Sequence, residues 1–191
     1  ATHLHDNSIT VTDAQVTGLL VGAGSLGANW NPSIKDPLTV DNNSITVSAS
    51  QINDAIGAYG GLTTNGNRIT LVNSSADNLY GVSFGQDIFY SGSQPATIEN
   101  TANNNSVLLY NNSSASGNIY GAQSHSVQAY GNQVVLAGGS VAQGDVYGAH
   151  VSNARVQTSD TTVDWNTVQT AAENNTLSIS GSSAGNSSAH I

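Results

Sequence analysis

A parallel β-solenoid of about six coils is the fold this sequence predicts, on three observations. An Asn-x-apolar-x-apolar block recurs six times, a second block follows it at a nearly fixed distance, and no stretch sustains helical periodicity. The first block reads Asn7-Ser8-Ile9-Thr10-Val11, Asn43-Ser44-Ile45-Thr46-Val47 and Asn67-Arg68-Ile69-Thr70-Leu71. It returns as Asn105-Ser106-Val107-Leu108-Leu109, Asn132-Gln133-Val134-Val135-Leu136 and Asn175-Thr176-Leu177-Ser178-Ile179. Apolar residues alternating with polar ones have the side-chain period of a strand. Stacked in register, Ile9, Ile45, Ile69, Val107, Val134 and Leu177 form one interior column. Val11, Val47, Leu71, Leu109, Leu136 and Ile179 form the next. The anchor asparagines belong at a corner, because Asn tolerates left-handed backbone and its amide can bond to equivalents above and below.

The second block reads Leu20-Val21-Gly22-Ala23, Ala55-Ile56-Gly57-Ala58, Leu79-Tyr80-Gly81-Val82, Ile119-Tyr120-Gly121-Ala122 and Val146-Tyr147-Gly148-Ala149. Counted from the anchor Asn, its Gly falls at +15, +14, +14, +16 and +16. The Ser/Asn/Gly-rich stretches between blocks have turn chemistry, so each unit should supply two or three short strands. Each would pair with its equivalent in the next coil, and six coils rising about 4.8 Å apiece make a rod of roughly 29 Å. The sixth unit runs out at Ala189-His190-Ile191, about where its second block is due. Residues 1–191 are therefore expected to be a single solenoid segment of a longer array.

Composition removes several function classes. Three basic residues (Lys35, Arg68, Arg155) stand against twelve acidic ones, a formal net charge of −9. A nucleic-acid surface needs clustered Lys and Arg to displace counterions, so no nucleic-acid partner is expected. Docking on an anionic membrane is disfavoured for the same reason. No apolar run approaches the roughly 18 residues of a membrane helix, so this segment is not expected to insert directly into a bilayer. With no Cys, neither disulfides nor thiolate metal sites are available.

Two stretches carry a family resemblance, Asn105–Ala122 and Asn132–Ala149. Each holds Asn-x-Val-x-Leu followed by Gly117-Asn118-Ile119-Tyr120-Gly121-Ala122 or Gly144-Asp145-Val146-Tyr147-Gly148-Ala149. The pattern resembles the passenger domains of type V autotransporters of Gram-negative bacteria. That resemblance implies a right-handed parallel β-helix, displayed on the bacterial cell surface or released from it. It also implies a C-terminal membrane barrel lying outside this segment. The absence of Cys is similar to that family, whose passengers cross the periplasm unfolded. Passengers differ widely in function, so function has to be argued from the surface.

Catalytic chemistry is not expected. The twelve acids are scattered without a D-x-D or D-D pair, and no G-x-S-x-G or H-E-x-x-H motif occurs. His3-Leu4-His5-Asp6 places two histidines on one strand face beside an acid, but exposed polar histidines account for it. His125 and His150 stand at different offsets from their glycines, +4 and +2, so stacking should not align them. Neither a metal nor any cofactor is expected.

The informative groups are aromatic. Alternation turns Leu79, Ile119 and Val146 inward, which points Tyr80, Tyr120 and Tyr147 outward as an exposed ladder continued by Val21 and Ile56. Three units also carry insertions of about 12, 14 and 19 residues relative to the shortest unit. These hold Trp30 between Pro32 and Asn29, Phe84 with Phe89 and Tyr90, and Trp165. Loops on a rigid scaffold carry recognition, and Trp and Tyr are common interface anchors. The expected function is therefore a surface adhesin fragment that binds a host-cell protein receptor or glycan through Tyr80, Tyr120, Tyr147, Trp30, Phe89, Tyr90 and Trp165. Homotypic self-association through polar faces and a passive stalk are the alternatives.

Overall fold

The computed structural model describes residues 2–24, 38–60, 63–83, 88–90, 100–125, 127–152, 156–158 and 171–190. The chain is a parallel β-helix of six coils, without a helix among the described residues. Each of the first five coils contributes a strand to each of four sheets, rather than the two or three strands expected per unit. Sheet A holds β1 (Thr2–His5), β5 (Leu38–Asp41), β9 (Thr63–Asn65), β14 (Asn100–Asn103), β18 (Val127–Tyr130) and β23 (Ala171–Glu173). Sheet B holds β2 (Ser8–Thr12), β6 (Ser44–Ser48), β10 (Arg68–Val72), β15 (Ser106–Tyr110), β19 (Gln133–Ala137) and β24 (Thr176–Ser180). The short sheet C holds β3 (Gln15–Val16), β7 (Gln51–Ile52), β11 (Ser75–Ala76), β16 (Ser114–Ala115) and β20 (Val141–Ala142). Sheet D holds β4 (Leu20–Gly24), β8 (Ala55–Tyr59), β12 (Leu79–Ser83), β17 (Ile119–His125), β21 (Val146–Ser152) and β25 (Ser187–His190). The sixth coil thus reaches sheet D after all, as Ser-Ser-Ala-His without the apolar signature that marks the other five.

The first block forms sheet B with both columns in register: Ile9 pairs with Ile45, Ile45 with Ile69, and so on to Leu177. In the middle coils both columns are fully buried. The anchor asparagines stack as expected. Asn67 Nδ2 donates to Asn105 Oδ1 at 2.9 Å and to the Val40 carbonyl at 2.8 Å, while its Oδ1 accepts from Asn43 Nδ2 at 2.9 Å. One side chain thereby ties three coils together. The ladder runs from Asn7 to Asn175, and each backbone N–H from Asn7 to Asn132 donates to the next Oδ1 as well. The left-handed corner is not at these residues but one earlier, at Asp6, Asn42, Gly66, Asn104, Gly131 and Asn174, with φ between 55° and 65°. The anchor side chain has to point inward to make its bonds, so the residue before it takes the turn.

A second ladder, of serines, holds the corner between sheets B and C. The N–H of Ser50 donates to Ser74 Oγ and that of Ser74 to Ser113 Oγ, while each hydroxyl donates to a carbonyl at the end of its own sheet B strand. This corner also absorbs part of the +14 to +16 variation. It has one left-handed residue in the second and third coils (Ala49, Asn73) and two in the fourth and fifth (Asn111–Asn112, Gly138–Gly139).

Sheet D departs from simple alternation. Leu79, Ile119 and Val146 enter the main core with the sheet B columns, but Val82, Ala122 and Ala149 are buried too, in a second cluster with Val40, Ala102 and Ala129. Two residues three apart can both face inward only if the strand bends between them, and it bends at Gly57, Gly81, Gly121 and Gly148. A Cβ on Gly57 would meet Asn67 Cβ at 3.5 Å, and one on Gly22 would meet Asn43 Cβ at 3.6 Å. Along the axis, a Cβ on Gly121 would collide with the Gly148 carbonyl oxygen. The glycine column and the asparagine ladder therefore meet at a waist that divides the interior into two cores.

The three insertions fall at one place in the coil. They connect sheet D to sheet A in the first, third and fifth coils, between β4 and β5, β12 and β14, and β21 and β23. Inside the latter two lie β13 (Ile88–Tyr90) and β22 (Val156–Thr158), which pair in parallel past the fourth coil.

Candidate functional site

The bend in sheet D creates the most distinctive surface of the rod. Tyr80, Tyr120 and Tyr147 occupy one register column on its outer face, continuing Val21 and Ile56 and followed by Ser188. The rings stack from coil to coil, with centroids 5.3 Å apart and planes at 15° between Tyr80 and Tyr120. The Tyr120–Tyr147 pair follows at 5.6 Å and 30°. Steps a little above the strand spacing let tilted rings stay in contact without abandoning register.

The expected exposed stripe needs correction. Tyr120 is only 8% exposed, Ile56 is buried in the coil on the far side of Tyr80, and Tyr80 and Tyr147 are half-buried. The reason is the waist: where the coil pinches inward, its outer surface folds into a crease, and the tyrosines line one wall. The opposite wall is the column two residues past the glycine, Tyr59, Ser83, Gln123 and His150. His150 reaches across, its ring 5.8 Å from Tyr120 edge-on and 5.7 Å from Tyr147. As expected from their offsets, His125 and His150 do not align; His150 pairs with Gln123, and His125 with Ser152.

An amide and carboxylate ladder edges the crease. Asn78 Nδ2 donates to Asp54 Oδ1 at 2.9 Å, the Asn118 N–H to Asn78 Oδ1 at 2.8 Å and the Asp145 N–H to Asn118 Oδ1 at 2.9 Å. Asn118 Nδ2 also donates to the Tyr120 hydroxyl at 3.3 Å. Burial raises the Tyr80 hydroxyl above its ordinary pKa of 10, and Tyr120 and Asp54 push the same way. Burial likewise raises Tyr120; the Asn118 hydrogen bond opposes it, while Tyr147 and Asp145 add to it. Both phenols therefore stay protonated at neutral pH. The crease offers stacked ring faces, hydroxyls and one imidazole, a set suited to contact with a ligand.

The remaining sequence candidates fare differently. Phe89 and Tyr90 lie in β13, while Trp30, Phe84 and Trp165 lie outside the described residues. His150, Gln123 and Tyr59 were not anticipated, although their shared offset of two from the block glycine is readable in the sequence. Among the described residues, no three His, Asp or Glu side chains converge as ligands for a metal ion. His3 and His5 instead pair with Asp41 at 3.0 Å and Asp6 at 2.7 Å, respectively. Comparison with family models, with curated proteins and with solved structures finds nothing that matches this chain.

Proposed function

We propose that this chain is a ligand-binding rod of a bacterial surface adhesin, which grips a host glycan or protein through the aromatic crease. The observation that carries the reading is the Tyr80–Tyr120–Tyr147 stack with His150 at its edge, an aromatic surface on a rod of net charge −9. Tyrosine combines a flat apolar face, on which the C–H face of a sugar ring or an aliphatic side chain can rest, with a hydroxyl that fixes orientation. Because the rings are held by stacking and by the coil register, little side-chain entropy is lost on binding. The accessible part of the crease is Tyr147 and His150 at one end and Tyr80 at the other, with Tyr120 as their support.

The burial of Tyr120 favours a second reading, in which the stack only stabilises the coils of a passive stalk. One experiment separates the two. The labelled chain is applied to a broad array of immobilised glycans and host surface proteins, with Tyr147→Ala alongside. Selective binding that falls at least about tenfold in the variant is the expected result, the loss of one well-packed anchor. Binding unchanged by the substitution moves the site off the crease, and a blank array leaves the stalk.

A further inference from the structure

A second concave surface runs along the rod at the corner between sheets B and C. It is an open groove of about 780 Å³ that crosses four coils and follows the rod axis, since it is lined by the same few column positions in each. Its floor is the serine ladder, whose hydroxyls are already committed to backbone groups. The backbone beneath is committed too: the N–H groups of Gln51, Ser75 and Ser114 donate to carbonyls of the preceding coil at 3.0, 3.0 and 2.9 Å. An extended peptide adding itself as a strand would find no free backbone there.

What the groove does offer is side-chain amides. Gln15, Gln51, Asn73 and Asn112 line it, all exposed, and none of their side chains has a hydrogen-bond partner among the described residues. Each amide carries two donors and an acceptor with two lone pairs, a combination that matches neighbouring hydroxyls. Ser75 and Ser114 continue the Gln15–Gln51 column with hydroxyls in the next two coils. The described residues that line it include no cation for an anionic ligand, and Asp13 at one end repels one. Among the described residues that line it there is no aromatic ring, and the apolar part is Ala14 and Ala49.

We propose that this groove binds an extended, neutral glycan strand lying parallel to the rod axis, read by Gln15, Gln51, Asn73 and Asn112. The site is distinct from the aromatic crease, and it extends the glycan-binding reading by assigning a polymer rather than a single terminal sugar. Contacts repeat with each coil, so affinity grows with the number of sugars that lie along the groove.

The test is calorimetric titration of the whole chain with a neutral β-1,4-linked glucose hexasaccharide, its disaccharide, the N-acetylglucosamine hexasaccharide and a uronic acid hexasaccharide. The comparison proteins are Gln51→Ala/Asn73→Ala and Tyr147→Ala, each checked for an unchanged far-ultraviolet spectrum. Gln51 and Asn73 are exposed and Tyr147 is half-buried, so the spectrum establishes that each variant keeps the fold. The expected result is binding of at least one neutral hexasaccharide, about tenfold or more tighter than the disaccharide. It should be weakened at least about tenfold by the double substitution and kept by Tyr147→Ala. Loss with Tyr147→Ala alone overturns the groove and supports the crease. Binding of the uronic acid chain in preference, affinity independent of length, or no binding by any neutral probe also overturns the groove. A blank titration with neutral hexasaccharides beside a Tyr147-dependent signal on the array leaves the crease reading intact.

Discussion

Asn105 is fully buried and makes bonds in both directions along the rod. Its Oδ1 accepts from the N–H and Nδ2 of Asn67, and its Nδ2 donates to Asn132 and to the Thr64 carbonyl. Asn105→Ala leaves several of these groups buried without partners, each at a cost of about 1–3 kcal/mol. The variant should therefore lose at least about 2 kcal/mol in urea unfolding, far more than the removal of an exposed amide such as Gln133. The glycines separate into two kinds by the same reasoning. Gly131 has φ 65°, in a column that holds Asn at φ 55° in three coils (Asn42, Asn104, Asn174), Asp6 in the first and Gly66 in the third; a Cβ there meets only the movable amide oxygen of Asn104, so Gly131→Asn should change stability by less than about 1 kcal/mol. Gly121 is not left-handed; it is required by the close approach of the Gly148 carbonyl. Gly121→Ala should cost about 1–3 kcal/mol or more, read as a lowered unfolding midpoint, because backbone rather than a flexible side chain blocks the methyl.

Along a strand of sheet D, the bend at glycine serves two ends at once. It lets one short segment feed two cores, and it folds the outer face into the crease where the tyrosines stack. The stack has a pH signature. Burial raises the Tyr80 and Tyr120 pKa above 10 in the folded chain. Above pH 10 the unfolded chain releases these protons while the folded chain still holds them, so stability declines as pH rises. The stabilising contribution is complete below pH 10 and is lost as pH climbs through the raised folded values. Spectrophotometric titration should show tyrosinate forming late for these two residues, and Tyr80→Phe with Tyr120→Phe should flatten the alkaline fall in melting temperature. An equally steep fall in the double variant would assign the effect to other groups.

Taken as a rod, the protein is held by ladders of neutral amides and hydroxyls rather than by ion pairs. The only close charge pairs described are His3–Asp41 and His5–Asp6, both partly exposed, in a chain of net charge −9. Self-repulsion among twelve acids is screened as the Debye length falls from about 30 Å to about 8 Å between 0.01 M and 0.15 M salt. The melting temperature should therefore rise by a few degrees over that range at neutral pH. A fall would mean that attractive pairs dominate. The same stacking makes stability a sum of neighbouring coil contacts.

The amino-acid sequence by itself determined the coil, its number and its register. A strand that repeats its apolar pattern behind an invariant anchor Asn can pair with its copies in only one way that keeps every Ile, Val and Leu inside. The Asn ladder and the Tyr column were legible for the same reason, since stacking copies of one position needs no knowledge of the cross-section. The cross-section itself was decided by tertiary structure. Local alternation says nothing about a bend, so the exposure assigned to Tyr120 and the left-handed turn assigned to the anchor Asn both missed the waist. Only the contact between the glycine column and the buried asparagines, Gly57 against Asn67 and Gly22 against Asn43, pinches the coil. That contact separates two cores, buries the middle of an outward-facing ladder and brings His150 against it.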